Sequence, residues 1–344
     1  MLADVNLDMV GENTELLHSR LIVTENPFSI PSCVDDVVAD MLAMVDGVDV
    51  RTPRGSQSAF HYRHTPYSGG SDHMMFIDRG IASVMLSHDP DYTHHTSEDT
   101  PDKVDPVELE RCELLAAGTL WHLANLSEPQ ALDLAWLTSA GATARVEAAA
   151  RRVRGWITEA SPAQRAERAA AADSALAVCA QREQLALESV LDHYDRRDAA
   201  ASPALARLVA EQCARLRSHV EAVRHALTVE FGDGTESARA PAELAAKGDA
   251  RRVLRRTVGP LAFGLQERLL PAERVAWYAT PAFPFAAGER RFELVNLANT
   301  GATLSEIGEL YAAEFEPVDA ADIARFFEDL ESLGLVQLQK NQGD

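Results

Sequence analysis

Histidine and carboxylate side chains are concentrated in residues 67–106, more densely than a purely structural loop requires. Imidazole nitrogens and carboxylate oxygens are the groups that bind divalent zinc in proteins. On composition alone the segment fits two interpretations equally well, a metal site and a solvated acidic loop with incidental histidines. Its histidine and carboxylate residues include His73, His88, His94 and His95, with Asp72, Asp89, Asp91, Glu98 and Asp99.

An apolar run within this segment, residues 81–87, predicts a short strand that is buried on both faces. Such a strand would deliver His88 and the loop 89–95 to one edge of a sheet. After the loop, Asp105 is predicted to cap a helix that begins at Pro106 and continues to about residue 125. Strand, loop and covering helix together indicate an α/β unit.

The first residues of the chain, 3–8, alternate between apolar and polar side chains and predict another short strand. Asp8 would lie at its carboxyl end, where ligands bind in open α/β sheets. Taken from these residues alone, a turn or helix-capping aspartate is the preferred interpretation. Further elements are predicted at 20–24 (strand), 31–45 (amphipathic helix) and 58–64 (strand).

Four sequence motifs resemble the closing half of the dizinc aminopeptidase family, which includes bacterial leucyl-type aminopeptidases, glutamate carboxypeptidase and the transferrin receptor. Residues 69–73 (GGSDH), 80–83 (GIAS) and 95–100 (HTSEDT) match its G-x-SDH, G-I-P-type and H-T-x-x-D-T elements in order. Residues 6–11 (NLDMVG) match its N-x-D-M-x-G strand end, which supplies a metal-binding aspartate. By this resemblance Asp8 and His95 are zinc ligands.

The resemblance also implies how such a site works. Two zinc ions share a bridging aspartate and a water, acidify the water and polarise the scissile carbonyl of a peptide substrate. Asp72, His73 and Asp99 would support the ligands from behind. His94 takes a place where relatives often carry a tyrosine that steadies the tetrahedral intermediate, so His94 is a candidate donor there.

Other parts of the family pattern have no counterpart here. The family's first histidine, its bridging aspartate and its Glu-Glu pair, which holds the general base, lie upstream of the strand that precedes Asp8. We therefore identify no general base in this chain and expect an N-terminally truncated zinc-dependent exopeptidase of the aminopeptidase type. Recruitment of His61, His64, His73 or His94 as ligands has no precedent in the family. On a strand, the spacing of three between His61 and His64 places these two on opposite faces. The alternative is a non-catalytic, peptidase-like interaction module.

From about Pro129 the chain becomes rich in Ala, Glu, Arg and Leu, which predicts long packed helices. Ser-Pro pairs at 161–162 and 202–203 are predicted to begin two of them. Trp136 and Trp156 are interpreted as core or interface anchors. The role of this helical bundle cannot be inferred from its sequence.

The C-terminal part contains a basic patch and a small helical segment. Arg251, Arg252, Arg255 and Arg256 are expected to pair with the protein's own surplus acid. Residues 281–287 (PAFPFAA) are interpreted as an extended linker or docking strap. Beyond them the pattern predicts three helices, the second capped by Thr303, and a strand, which is the order of a small winged-helix-like module.

Charge argues against nucleic acid and anionic membranes as partners. The chain has 53 acidic and 32 basic residues, a net charge of −21, and residues 292–344 hold 11 acidic against 2 basic residues. Phosphate contact is therefore disfavoured, and a protein partner or self-association through the helical and C-terminal regions is expected instead. Four scattered cysteines without C-x-x-C spacing indicate reduced thiols.

These observations predict a partial zinc-exopeptidase α/β sheet with covering helices, followed by an all-α region and the winged-helix-like unit. The first residues lack the pattern of a signal peptide, which predicts a cytoplasmic location. The expected divisions are 1–127 (aminopeptidase-like), 128–245 (helical bundle), 246–290 (linker or docking segment) and 291–344 (C-terminal module).

Overall fold

The computed structural model describes residues 2–48, 50, 59–195, 202–232 and 248–340. The chain forms two compact units, one of Met1–Thr138 with Glu188–Leu208 and one of Ser139–Leu187 with Val209–Asp344. The division at residues 127, 245 and 290 stays a prediction.

A mixed four-stranded sheet in the order β1-β4-β2-β3 forms the centre of the first unit. β1 is parallel to β4, β2 is parallel to β3, and β2 is antiparallel to β4. Because β1 and β4 are parallel neighbours, their carboxyl ends lie at the same edge of the sheet. The strands are β1 (Ala3–Leu7), β2 (Arg20–Thr24), β3 (Tyr62–Thr65) and β4 (Ala82–Asp89).

Strand β4 is buried from Ala82 to His88, which agrees with its mainly apolar sequence. The strand predicted at 81–87 is confirmed, but it extends to Asp89. His88 therefore lies in the strand itself, next to its last residue, with none of its surface exposed. Its Nδ1 lies 3.2 Å from the Met9 carbonyl oxygen, and its Nε2 lies 3.9 Å from Oε2 of Glu108.

Of the two helices predicted in the first unit, one begins at the predicted residue and the other begins three residues later. Asp105 Oδ1 accepts the Val107 amide hydrogen at 2.8 Å, so Asp105 caps the helix that begins at Pro106. The helix predicted from residue 31 begins at Val34, because the Ser32 hydroxyl accepts the Val34 amide hydrogen and holds the preceding residues in a turn. These helices are α1 (Thr14–Leu17), α2 (Val34–Asp46), α3 (His73–Ile77) and α4 (Pro106–Ala124).

The predicted long helices are α5 (Glu128–Glu159), α6 (Arg165–Asp195) and α7 (Pro203–Phe231). Ser202 accepts the Leu205 amide hydrogen at 3.1 Å and begins α7 as predicted. Ser161 does not begin α6 directly: its hydroxyl donates to the Gln164 side chain, and a turn precedes the helix. Trp136 is 52% exposed, so it does not lie in the core.

The last segment pairs two short strands, β5 (Arg252–Arg255) and β6 (Val336–Gln339), antiparallel to each other. The Thr303 hydroxyl and the Glu306 carboxylate form a capping box, which confirms the predicted helix start. Arg251 pairs with Asp249 and Glu328, as expected for the basic patch. Arg252 and Arg256 instead donate to the Gly301 carbonyl and the Gln337 side chain. The helices between the strands are α8 (Phe263–Gln266), α9 (Ala272–Tyr278), α10 (Gly288–Ala298), α11 (Leu304–Glu314) and α12 (Ala320–Ser332).

All four cysteines are free and buried, as expected for reduced thiols, and burial raises the pKa of the Cys33 thiol to about 12. None of the helices in the described ranges is long and apolar enough to span a lipid bilayer.

Candidate metal centre

Asp8 follows β1 directly and continues the pairing of that strand with β4. Its amide donates to the Leu86 carbonyl at 3.0 Å, and the Met9 carbonyl accepts the His88 amide hydrogen at 2.9 Å. Met9 has a φ of 56°, so the chain turns away from the sheet at the residue after Asp8. Asp8 therefore lies at the carboxyl end of β1, as the sequence predicted.

Gly11, the last residue of the N-x-D-M-x-G element, has a steric reason to be glycine. Its φ is +81°, and a Cβ there would lie 2.8 Å from Cβ of Leu109 on α4. The Gly11 carbonyl also accepts the Asp105 amide hydrogen at 2.8 Å. This motif therefore packs its backbone directly against the start of α4, which a larger residue would prevent.

Hydrogen bonds connect three of the predicted motifs. The Asn6 side chain donates to the Ser71 hydroxyl at 2.6 Å, joining the strand before Asp8 to the SDH element. The Ser83 hydroxyl donates to Asp4 at 2.5 Å, joining β1 to the GIAS element on β4. The motifs thus meet around the β1 and β4 strands, although the second and third lie more than 60 residues from the first.

His73 lies at the start of α3 with no exposed surface. Its Nε2 lies 2.8 Å from the Ser68 carbonyl oxygen, and its ring meets the Tyr67 ring edge-on at 5.8 Å. Burial lowers the pKa of this imidazole, although the Ser68 carbonyl and the carboxylates of Asp4 and Asp8 oppose the shift. A neutral His73 that donates to Ser68 is the arrangement these contacts favour.

Asp72 and Asp99 are both exposed on the surface. Asp72 precedes α3, but its side chain makes no capping hydrogen bond. The Asp99 amide donates to the Thr96 carbonyl at 3.4 Å within the HTSEDT turn. Their support of a metal site stays a prediction.

The loop after β4 presents His94 and His95 to solvent. Both side chains are exposed, and their rings stack with centroids 3.6 Å apart. Asp91 Oδ1 shapes the loop, since it accepts the Thr93 amide at 2.7 Å, the Thr93 hydroxyl at 2.8 Å and the His94 amide at 3.0 Å. The Thr96 hydroxyl donates to the Thr93 carbonyl at 2.6 Å and closes the next turn.

His95 has a φ of 59°, a left-handed conformation that is uncommon for a residue with a side chain. Such conformations cost free energy and cluster at functional sites, where the surrounding structure enforces them. The turns made by Asp91 and Thr96 on either side supply that constraint. The backbone conformation of His95 therefore agrees with a functional role for this residue.

The described residues do not by themselves fit a complete zinc centre. Within the described ranges, no three His, Cys, Asp or Glu side chains form a group able to hold a metal ion. A catalytic zinc needs three protein ligands, and the family places two such ions side by side. Asp8 and His95 provide the right chemistry, one oxygen and one imidazole donor, but further ligands are required.

The two other histidines considered as ligands have different surroundings. His61 lines a cleft of about 510 Å³ together with Ser19 and Phe60. Nδ1 of His64 on β3 lies 3.4 Å from Oε1 of Glu25. Neither belongs to a group of three metal-binding side chains within the described part of the chain.

Sequence reasoning missed one acidic residue near the site. Glu12 directly follows the N-x-D-M-x-G element, and only 8% of its surface is exposed. Its backbone pairs with Val104 in an isolated antiparallel bridge. Its position next to the glycine of the motif was the available signal, but a lone glutamate carries no pattern that predicts burial.

The sequence profile of peptidase family M28 matches residues 2–120. The match covers the N-terminal end of the chain, from β1 through most of α4, and confirms the resemblance to dizinc aminopeptidases for this region. Peptidases of this family are generally zinc-dependent. No curated protein and no solved structure matches the chain.

Proposed function

We propose that this chain is a zinc-dependent exopeptidase of the aminopeptidase type, or a part of one, in which Asp8 and His95 are metal ligands. The observation that carries the proposal is the parallel pairing of β1 with β4. It delivers Asp8 and the loop that leads to His95 to the carboxyl ends of neighbouring strands, where α/β proteins bind ligands. The match of residues 2–120 to a peptidase family supports the same conclusion.

Zinc binding tests the two ligands directly. We expect Asp8→Asn and His95→Ala each to weaken zinc binding by the full chain by at least about tenfold, because each removes one of few donors. Isothermal titration against a competing chelator at pH 7.5 measures the affinities. His225→Ala, the same substitution at an exposed position of α7, is the matched control and should bind zinc like wild type.

Two outcomes would contradict this assignment. If Asp8→Asn and His95→Ala bind zinc as tightly as wild type, these residues are not its ligands. If His225→Ala weakens binding as much as they do, the loss is not specific to the predicted site.

Hydrolysis is a separate measurement. With added zinc, we expect negligible turnover of aminoacyl arylamides by this chain alone, because the described residues lack a third metal ligand and no general base is identified. Release of the arylamine measures it. Robust turnover that His95→Ala abolishes and His225→Ala retains would show that the chain completes the site, with peptides as substrates.

The C-terminal region favours a second role beside the first. The antiparallel β5–β6 pair and helices α10 to α12 support a winged-helix-like module. Its 11 acidic residues against 2 basic ones between residues 292 and 344 disfavour phosphate contact and favour a protein partner. We propose a protein-interaction role for this region, which the chain would retain even if its peptidase-like part is non-catalytic.

A further inference from the structure

Glu12 is a buried carboxyl group without an evident charge partner. Both carboxylate oxygens are enclosed, and neither meets a hydrogen-bond donor at normal geometry. The backbone is held in place by the bridge to Val104 and by the Asn13 amide, which donates to the Lys103 carbonyl at 2.7 Å. A fixed, enclosed carboxyl group of this kind is costly to ionise.

The groups that face Glu12 are Asp91, Ser19 and His88. The Asp91 carboxylate is close enough for a hydrogen bond between the two carboxyl groups, and this contact requires a proton. His88 is the only one of these neighbours able to carry a positive charge. Nε2 of His88 in turn lies 3.9 Å from Glu108, which is paired with Arg111.

The two carboxyl groups differ in how readily they ionise. Burial raises the pKa of Glu12 to about 7, and the charge of Asp91 adds to the shift. Although partial burial opposes it, hydrogen bonds from Thr93 and His94 lower the pKa of Asp91. The shared proton therefore resides on Glu12, and Asp91 is the ionised acceptor.

We propose that protonated Glu12 is a positioning residue, which donates a hydrogen bond to Asp91 and so fixes the loop that carries His94 and His95. The two carboxylate oxygens of Asp91 allow it to bind the loop and Glu12 at the same time. All three loop donors meet its Oδ1, which leaves Oδ2 to accept from Glu12. The buried Glu12 carboxyl group would thus hold the loop that carries His94 and His95 through one shared proton.

The proposal has a definite pH dependence. Below about pH 7 folded Glu12 keeps its proton and holds Asp91, whereas above it two carboxylates face each other and repel. The loop should therefore be ordered at pH 6 and looser at pH 8.5. The link between the order of this loop and zinc binding rests on the proposed function. The order of the loop itself can be measured without metal.

Amide hydrogen exchange of the metal-free full chain tests the proposal. After correction for intrinsic exchange rates, protection of the Thr93 and His94 amides in wild type should fall by about tenfold between pH 6 and pH 8.5. Glu12→Gln cannot ionise yet still donates to Asp91, so its protection should stay constant over this range. The same midpoint should appear in the ¹³Cδ chemical shift of wild-type Glu12, which needs no substitution.

Glu15→Gln, which removes the same charge at an exposed position of α1, is the matched control and should behave like wild type. Constant protection in wild type would overturn the proposal, as would a fall in Glu12→Gln equal to that in wild type, or loss of the step in Glu15→Gln. Because no zinc is present, failure of the zinc titrations would reject the proposed function without affecting this result.

Discussion

Replacement of Phe285 by alanine is expected to destabilise the second unit by about 3–5 kcal/mol, because it removes a fully buried aromatic ring from a close-packed core. The Phe285 ring meets the rings of Tyr311 at 5.3 Å and Phe326 at 5.7 Å, both nearly edge-on. Phe283 and Trp277 complete the cluster around it. The rings of Trp277, Tyr311 and Phe326 are held on helices and cannot collapse fully into the space left behind.

Guanidinium denaturation of the full chain, followed by tryptophan fluorescence, measures this loss. Phe285→Leu keeps much of the apolar volume and should cost less than half as much. Leu269→Ala is the control, since Leu269 is 76% exposed, and its effect should remain within about 0.5 kcal/mol. An effect of Phe285→Ala no larger than that of Leu269→Ala would show that residues 281–287 do not belong to the core.

The second large effect is expected at Glu183, where replacement by alanine should cost about 3 kcal/mol. This carboxylate is 2% exposed. Its Oε2 accepts from Nε of Arg145 at 2.8 Å, and its Oε1 accepts from Nη1 of Arg182 at 2.6 Å. Removing it leaves the partly buried guanidinium groups without this anion, and the loss of a buried anion costs more than the ion pair itself contributes.

The midpoint of guanidinium unfolding at pH 7 checks this expectation. Glu188→Ala removes the same charge from an exposed position of α6 and should change stability little. Glu183→Gln retains the shape and one acceptor oxygen, so its cost should fall between the two. Equal stability of Glu183→Ala and Glu188→Ala would mean that solvent or other groups compensate the arginines.

Several features of this protein could be predicted from short stretches of sequence. The strand before Asp8, the apolar strand β4 and the Asp105 cap of α4 are local patterns of alternation, burial and capping. The ordered motifs in residues 6–100 predicted the peptidase family, and the match of residues 2–120 confirms it. Such features are readable because neighbouring residues fix them.

Other features depend on residues far apart in the chain. Strand β5 was interpreted as a basic patch, because its pairing partner β6 lies about 80 residues later. Local sequence predicts a linker or docking strap at residues 281–287, whereas packing of Phe283 and Phe285 places these two side chains in an aromatic core. Burial of this kind is decided by long-range contacts, which local propensity does not contain.

The candidate metal centre shows the same division. The sequence by itself determined which chemical groups are available, Asp8 and His95 among them, and that they follow predicted strands. Only the tertiary structure decided that β1 and β4 are parallel neighbours, that His88 is enclosed within the sheet, and that Glu12 faces Asp91. The physical reason is that the identity of a side chain fixes its chemistry, whereas its ionisation and its partners depend on what the folded chain packs against it.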